Sequence, residues 1–192
     1  MPSFDGVHAA FLDTLAILAP ESHEALRPPA VEQDVARVLE EVFNPCPTDV
    51  VALFSRHDGA EAVPAGYFLP DACRFLSLGQ VCEVSAMLTG MIDGDDVLST
   101  WWHPKLLPFA ADVERACAVF VDLREGEGYG SVGFFSMESG ADPGLWGGIA
   151  DFVGDLLNAL EGNDPSELTQ NRWGDPILRD TPEIVDGRLE WV

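Results

Sequence analysis

The residue types that most often carry catalysis or bind metals are few in this sequence, and their spacing forms no known reactive motif. The histidines show neither an HExxH pair nor another spacing typical of metal ligands. The cysteines form no CxxC pair and lie within apolar segments, as small buried thiols in a reducing compartment do. We therefore predict no metal, no cofactor and no catalytic residues. These histidines and cysteines are His8, His23, His57, His103, Cys46, Cys73, Cys82 and Cys117.

Two loops match known ligand-binding motifs only in part. The acidic turn Asp93-Gly94-Asp95-Asp96 lacks the Asp-x-Asp-x-Asp-Gly spacing and the distant glutamate of a calcium loop. Residues 144–148 precede a predicted helix but lack the Lys-Ser or Lys-Thr of a phosphate-binding loop. A Ser/His/Asp or paired-carboxylate site stays open, because such groups meet in space and not in sequence.

The charge balance of the chain is strongly acidic. Asp and Glu number 33 against 10 Lys and Arg, which gives a formal net charge of -23, and Lys105 is the only lysine. Such a surface repels phosphate backbones and anionic lipid, so we expect neither a nucleic acid nor a membrane as partner. A basic protein is the favoured partner, although the same excess of acid also keeps a protein soluble without any partner.

Hydrophobic periodicity predicts the elements that position these side chains. Apolar residues at helical spacing predict helices over residues 4–18, 31–42, 47–58 and 149–160, and the capping box Ser77-Leu78-Gly79-Gln80 starts another. Short apolar runs predict strands at 67–69, 74–76, 106–109, 118–123 and 132–135, with a hairpin over 184–192. This order predicts an α+β fold: a single domain whose mainly antiparallel sheet of about four to six strands packs against helices.

We expect one domain over residues 1–162 and a C-terminal tail over residues 163–192 that packs on it. The 192-residue length suits a single core, and a hydrophobic fraction of 47% is typical of a folded chain. No apolar run reaches the roughly eighteen residues of a membrane span, and residues 1–20 carry Asp5 and Asp13 where a signal peptide has Lys or Arg. The sequence therefore predicts a soluble, cytoplasmic protein.

Three stretches, taken in order, resemble the SUKH superfamily. The first, residues 47–59, is similar to the family's helix that follows a proline and ends on a histidine or asparagine and a glycine. The second, residues 74–78, is similar to its strand that leads into a helix. The third is a succession of short motifs in the family's order. It joins Trp101-Trp102, Pro108-Phe109-Ala110, Val121-Asp122-Leu123 and Ser131-Val132-Gly133.

The resemblance implies a SUKH-like α+β fold and protein binding without catalysis. The superfamily includes fungal regulators of cell-wall glucan synthesis and many bacterial immunity proteins. We expect an immunity protein that neutralises a cognate toxin, with a basic, nuclease-type domain as target. Two alternatives remain: an intracellular scaffold or regulatory protein without a toxin partner, and a hydrolase or transferase with an unrecognised site. Residues 112–116 depart from the glycine-rich turn that family members often carry there.

Acidic side chains near aromatic residues are the candidates for contact with a basic partner. Protein interfaces favour tryptophan and tyrosine anchors surrounded by polar groups. We expect one of the two adjacent tryptophans to lie in the core and the other at the surface, and the protein to be a monomer or a weak homodimer. The candidate docking residues are Asp93, Asp95, Asp96, Trp101, Trp102, Asp112, Glu114, Glu125, Glu127 and Tyr129.

Overall fold

Helices precede a run of strands in the computed structural model, which describes residues 3–92, 101–164, 168–171 and 176–192. The helices are α1 (Phe4–Leu18), α2 (Pro20–Glu24), α3 (Glu32–Val35), α4 (Thr48–Phe54), α5 (Leu78–Gly90) and α6 (Ile149–Leu160), and α3 continues in wider π-type turns over Ala36–Val42. The strands are β1 (Arg74–Phe75), β2 (Leu106–Ala111), β3 (Cys117–Asp122), β4 (Val132–Ser136), β5 (Gly140–Trp146), β6 (Pro182–Val185) and β7 (Arg188–Trp191).

The strands form a central sheet and a separate hairpin. The central sheet has the order β1-β2-β3-β4-β5, and every neighbouring pair in it is antiparallel. β6 and β7 pair with each other outside this sheet. The predicted α+β fold with a mainly antiparallel sheet of about four to six strands is therefore confirmed.

Aromatic side chains cover both faces of the central sheet. On one face, Phe152 of α6 packs edge-on against Trp146 of β5, with ring centroids 5.1 Å apart. On the other face, Trp102 packs edge-on against Phe120 of β3 and Phe135 of β4, at 5.8 and 5.2 Å. α1 packs along α6 and adds a further layer to the first face. Burial of this apolar surface is the main stabilising contribution.

Local signals in the sequence set several element boundaries. The Ser77 hydroxyl accepts a hydrogen bond from the Gln80 backbone N–H at 3.3 Å, and the Gln80 side chain accepts one from the Ser77 N–H at 3.0 Å, so the predicted capping box is present. Gly59 has a φ of +77°, and a Cβ there would lie 2.5 Å from the backbone carbon of Leu76. Only glycine fits that close approach.

One local prediction was wrong and one strand was missed. Residues 67–69 form no strand, because Pro64 and Pro70 each begin a short 3₁₀ turn and leave only an isolated bridge at Leu69. β5 was not predicted, since its Asp142-Pro143-Gly144 segment has turn composition; the structure accommodates that segment as a bulge in the pairing with β4. The predicted helix over residues 4–18 is confirmed, because α1 ends at Leu18, and Pro20 begins the short helix α2, where its missing N–H is tolerated.

The C-terminal hairpin attaches to the N-terminal half of the chain. Leu189 is buried in the same hydrophobic cluster as the sheet residues, and its N–H donates to the Ser22 hydroxyl at 3.0 Å. The indole N–H of Trp191 donates to the Phe68 carbonyl at 2.8 Å. The turn between β6 and β7, with φ of +51° at Asp186 and +77° at Gly187, has the geometry expected of an Asp-Gly hairpin. Within the described ranges, no helix is long and apolar enough to cross a membrane.

Candidate protein-binding surface

The candidate docking residues lie at two opposite ends of the central sheet. Asp112 and Glu114 belong to the turn between β2 and β3, whereas Glu125, Glu127 and Tyr129 belong to the loop between β3 and β4. β3 has six residues, which separates the two ends by ~17 Å. The structure therefore does not bring these side chains into one patch. Asp93, Asp95 and Asp96 lie outside the described residues.

The turn between β2 and β3 is occupied by interactions within the chain. The Asp112 carboxylate accepts a hydrogen bond from the Cys117 N–H at 3.0 Å and thereby closes the turn. Arg115 adopts a φ of +60°, the conformation that a glycine would take more easily, and its guanidinium pairs with Glu83 at 3.1 Å. Glu114 is exposed beside this cation. Asp112 and Glu83 are thus engaged within the chain, so this end of the sheet carries less uncompensated negative charge than a count of its acidic residues indicates.

Both tryptophan rings pack on the sheet. The prediction that Trp102 contacts a partner was wrong. Trp102 is 1% exposed and lies in the core. Trp101 is half-buried: its ring packs edge-on against Phe135 at 5.0 Å, and its indole N–H donates to the Met137 carbonyl at 3.2 Å. Trp101 and Trp102 precede β2, and both rings pack on the same side chain, Phe135. Trp101 lies at the Asp112 end, since Met137 bonds the Ala116 carbonyl.

The loop between β3 and β4 has a firm base and an exposed acidic tip. Arg124 binds the buried Asp122 carboxylate in a two-pronged manner, with Nε 2.9 Å from Oδ1 and Nη2 2.6 Å from Oδ2. This hydrogen bond raises the pKa of the Arg124 guanidinium, so the charge of the pair is held at the base. Glu125, Glu127 and Tyr129 above it are exposed, and 37% of the Tyr129 surface is accessible.

A groove adjoins this loop where the N-terminal ends of three helices meet. Its volume is about 400 Å³ and its walls come from the first turns of α1, α4 and α6. Each of these helices places an aspartate in its first turn, where the helix dipole favours a negative charge: Asp5, Asp49 and Asp151. Sequence reasoning missed these three residues as site candidates, although an acid in the first turn of each predicted helix was visible.

Backbone packing joins the groove to the loop. A Cβ on Gly130, the last residue before Ser131 and β4, would lie 3.6 Å from the Pro47 ring, which directly precedes α4. A Cβ on Gly148, which precedes α6, would lie 3.7 Å from the Gly130 carbonyl oxygen. The loop and the two helix starts are thus in contact. We call the resulting surface the acidic face and define it by Asp49, Glu125, Glu127, Tyr129 and Asp151.

The acidic face has few cations close to it. Arg56 pairs with Asp5 at 2.6 Å beside the groove, and Arg124 is held by Asp122. Other arginines form ion pairs elsewhere in the chain, among them Arg27, Arg37 and Arg188. Within the part of the chain that the structure describes, the four carboxylates of the acidic face form no ion pair.

Among the described residues, two buried histidines form a pair whose potential for chemistry can be judged from its surroundings. The Nε2 atoms of His8 and His57 lie 2.9 Å apart, and Arg56 contacts the Nδ1 of His8 at 3.2 Å. Burial and the nearby Arg56 lower the pKa of His8 to about 4, and burial lowers the pKa of His57 to about 3. Phe4 and Phe75 flank the pair. Both imidazoles are neutral at pH 7 and closed to solvent, so neither is placed to meet a substrate.

Comparison with known proteins adds no functional assignment. No protein-family model matches the chain, and no curated protein sequence matches it. Among the described residues, no group of three or more His, Cys, Asp or Glu side chains has an arrangement that could hold a metal ion.

Proposed function

We propose that the protein is a non-enzymatic binding module that docks a basic protein domain on the acidic face. The observation that carries this proposal is the contact between the loop that bears Glu125, Glu127 and the exposed Tyr129 and the helix starts that bear Asp49 and Asp151. None of these four carboxylates forms an ion pair among the described residues. Aromatic anchors surrounded by polar groups are typical of protein interfaces, and uncompensated carboxylates select a partner of opposite charge.

Electrostatic steering comes first in this mechanism. The net charge of -23 attracts a basic domain from a distance and raises its association rate by roughly one to three decades at low salt. The carboxylates of the acidic face then orient the partner. Salt screens both effects, because the Debye length falls from about 10 Å at 0.1 M to about 3 Å at 1 M.

Short-range contacts then hold the complex. Tyr129 presents a ring that is rigid and partly apolar, which loses little conformational entropy when it is buried. The groove beside it, about 400 Å³ in volume, has room for a lysine or arginine side chain between the carboxylates of Asp49 and Asp151. These contacts slow dissociation and cover the partner's basic surface.

The resemblance to the SUKH superfamily supplies the biological role in this proposal. Many bacterial members are immunity proteins, so the partner we propose is a cognate toxin that the protein meets in the cytoplasm. A nuclease toxin fits the charge best, because its active cleft is built to bind phosphates and therefore attracts carboxylates. Occupation of that cleft by the acidic face would exclude the nucleic acid and neutralise the toxin without any chemical step.

A capture experiment with paired variants tests the proposal. The face variant carries Asp49→Asn, Glu125→Gln, Glu127→Gln and Asp151→Asn. The control variant has the same net charge but carries Glu24→Gln, Glu114→Gln, Glu138→Gln and Glu183→Gln, all at exposed positions.

Both variants and the wild type are used as bait in lysate of the native host, and captured proteins are identified by mass spectrometry. We expect a basic toxin domain that the wild type and the control variant retain and the face variant loses. A partner retained equally by the face variant would contradict the proposed surface. A captured basic regulator in place of a toxin would contradict the immunity role and leave the surface standing.

A further inference from the structure

The side of the sheet opposite Trp102 contains a cavity. This cavity of about 240 Å³ opens between the sheet, α6 and the C-terminal tail. Its lining is mainly apolar, from strands, helix and tail alike. The principal side chains are Val119, Phe134, Trp146, Phe152, Ile177 and Leu178.

The walls of this cavity are held by buried hydrogen bonds. Asp155, which is 4% exposed, accepts from the Trp146 indole N–H at 2.8 Å and from the Thr169 backbone N–H at 3.0 Å. The Ile177 N–H in turn donates to the Thr169 carbonyl at 2.9 Å. The tail is therefore fixed over the sheet at this point, and the cavity is a built feature of the fold.

Two carboxylates stand among the lining residues. Asp71 and Asp180 both line the cavity, and Arg179, which lines it as well, forms no ion pair with either of them among the described residues. Although Asp71 remains accessible to solvent, partial burial and the negative charges of Asp180 and Asp112 raise the pKa of its carboxyl. Asp71 and Ala72 also take φ angles of +55° and +50°, which presents this carboxyl from a tight turn.

We propose that the cavity binds a small apolar molecule that carries one positive charge, with its apolar part against Phe134, Trp146 and Phe152 and its cationic group facing Asp71 and Asp180. The volume corresponds to about eight waters at ~30 Å³ each, which is room for eight to ten non-hydrogen atoms. Aromatic rings in the lining favour a cationic ligand as well, because their faces carry negative charge. The cation would relieve the repulsion between the two carboxylates.

This ligand site is independent of the proposed protein-binding surface. Asp71 is close enough to Asp112 for its carboxyl to be affected by that charge, so the carboxylate part of the cavity lies toward the Asp112 end of the sheet. The acidic face lies at the other end. Loss of one activity therefore does not imply loss of the other.

Three small molecules of nearly equal size provide the test. 2-Phenylethylamine carries the required positive charge, 2-phenylethanol is its neutral counterpart, and phenylacetate is the anionic one. Binding to the full-length protein is measured by isothermal titration calorimetry at pH 7 and by ligand-observed NMR. We expect the amine to bind at least about tenfold more tightly than the alcohol, and phenylacetate to show no saturable binding.

Variants then locate the site. Asp71→Asn removes the charge and keeps a residue type that tolerates positive φ, and we expect it to weaken amine binding by about tenfold. Phe134→Trp fills the cavity and should weaken amine and alcohol alike, whereas Glu138→Gln, an exposed charge in the turn after β4, should change neither. Thermal unfolding of each variant confirms that it is folded.

The proposal is overturned if the amine shows no saturable binding, if the alcohol binds as tightly, or if Asp71→Asn binds the amine as well as the wild type does. Capture of a basic protein partner by Asp71→Asn serves as the independent readout, and we expect it to be unchanged.

Discussion

Asp122 and Arg124 form a two-pronged ion pair across two residues of chain, with Arg124 Nη2 2.6 Å from Asp122 Oδ2. Asp122 is 3% exposed, whereas the Arg124 side chain reaches the surface. Asp122 anchors the loop between β3 and β4 in two ways. Its side chain binds Arg124, and its backbone carbonyl accepts a hydrogen bond from the Gly130 N–H at 2.7 Å. The ion pair also engages Arg124, the residue next to Glu125, with a buried carboxylate, while Glu125 and Glu127 form no ion pair among the residues that the structure describes.

Replacement of Arg124 by Gln should destabilise the protein. The buried Asp122 carboxylate then loses its charged partner, and we expect the free energy of unfolding to fall by about 2 kcal/mol, less than for a fully buried pair because the guanidinium is partly solvated. Urea denaturation measures this change. In a double-mutant cycle, Asp122→Asn with Arg124→Gln should cost less than the two single changes added together. Additive costs would show that the pair does not couple.

The histidine pair makes stability depend on pH. His8 and His57 have pKa values of about 4 and about 3 in the folded protein, both lowered chiefly by burial, against about 6.5 in the unfolded chain. The pair does not reduce the free energy of unfolding above about pH 6.5, but it reduces it progressively as the pH falls toward 4. The reason is that the unfolded chain takes up protons that the folded protein excludes. At pH 5 the loss is about 4 kcal/mol for the two rings together.

Urea denaturation between pH 7.5 and pH 5 of the wild type and of a His8→Phe, His57→Leu variant checks this pH dependence. The wild type should lose stability more steeply than the variant over that range. Parallel curves would mean that other groups, such as the carboxylates, dominate the acid response.

Substitution of Tyr129 should affect binding to the partner, whereas substitution of Trp102 should affect the stability of the fold. Tyr129→Ala removes an exposed ring, so we expect little change in stability but a loss of about 2 kcal/mol in binding to the partner, a factor of about 30 in Kd. Trp102→Phe leaves a gap against Phe120 and Phe135 and should lower the free energy of unfolding by about 2 kcal/mol with unchanged affinity. Surface plasmon resonance and thermal unfolding measure the two quantities. If Trp102→Phe weakened binding and Tyr129→Ala lowered stability instead, Trp102 would belong to the docking surface.

Asp155 should control how firmly the C-terminal tail is held. Asp155→Ala leaves the Trp146 indole N–H and the Thr169 backbone N–H without their acceptor, which costs about 2 to 3 kcal/mol. Hydrogen exchange of the Thr169 amide should then approach the rate of an unprotected amide. Retained protection at Thr169 would show that apolar contacts of Leu168 and Leu178 hold the tail without this carboxylate.

Much of the fold follows from local patterns, since neighbouring residues carry the information. The Ser77 capping box, the apolar stripe of α6 and the Asp186-Gly187 turn each specify their element within a few residues. β5 does not follow from local patterns, because Pro143 and Gly144 resemble a turn and only pairing with β4 makes them part of a strand.

The candidate site could be predicted only in part. Glu125, Glu127 and Tyr129 are adjacent in an evident loop, whereas Asp49 and Asp151 approach that loop through the packing of Gly130 on Pro47 and Gly148. Short-range patterns do not reveal such contacts, because Pro47 and Gly130 are 83 positions apart in the chain and meet only in the folded protein. Trp102 was wrongly expected to contact a partner for a different reason. Tryptophan is common both at protein interfaces and in hydrophobic cores, so its residue type alone does not distinguish the two locations.

The most direct measurement is the rate at which the purified partner associates with the wild type, the face variant and the control variant as salt is raised. We predict that at low salt the face variant associates at least about tenfold more slowly than the wild type, that the control variant stays within about twofold, and that the curves converge near 0.5 M salt. Equal slowing in the two variants, or none in either, would contradict docking on the surface around Tyr129.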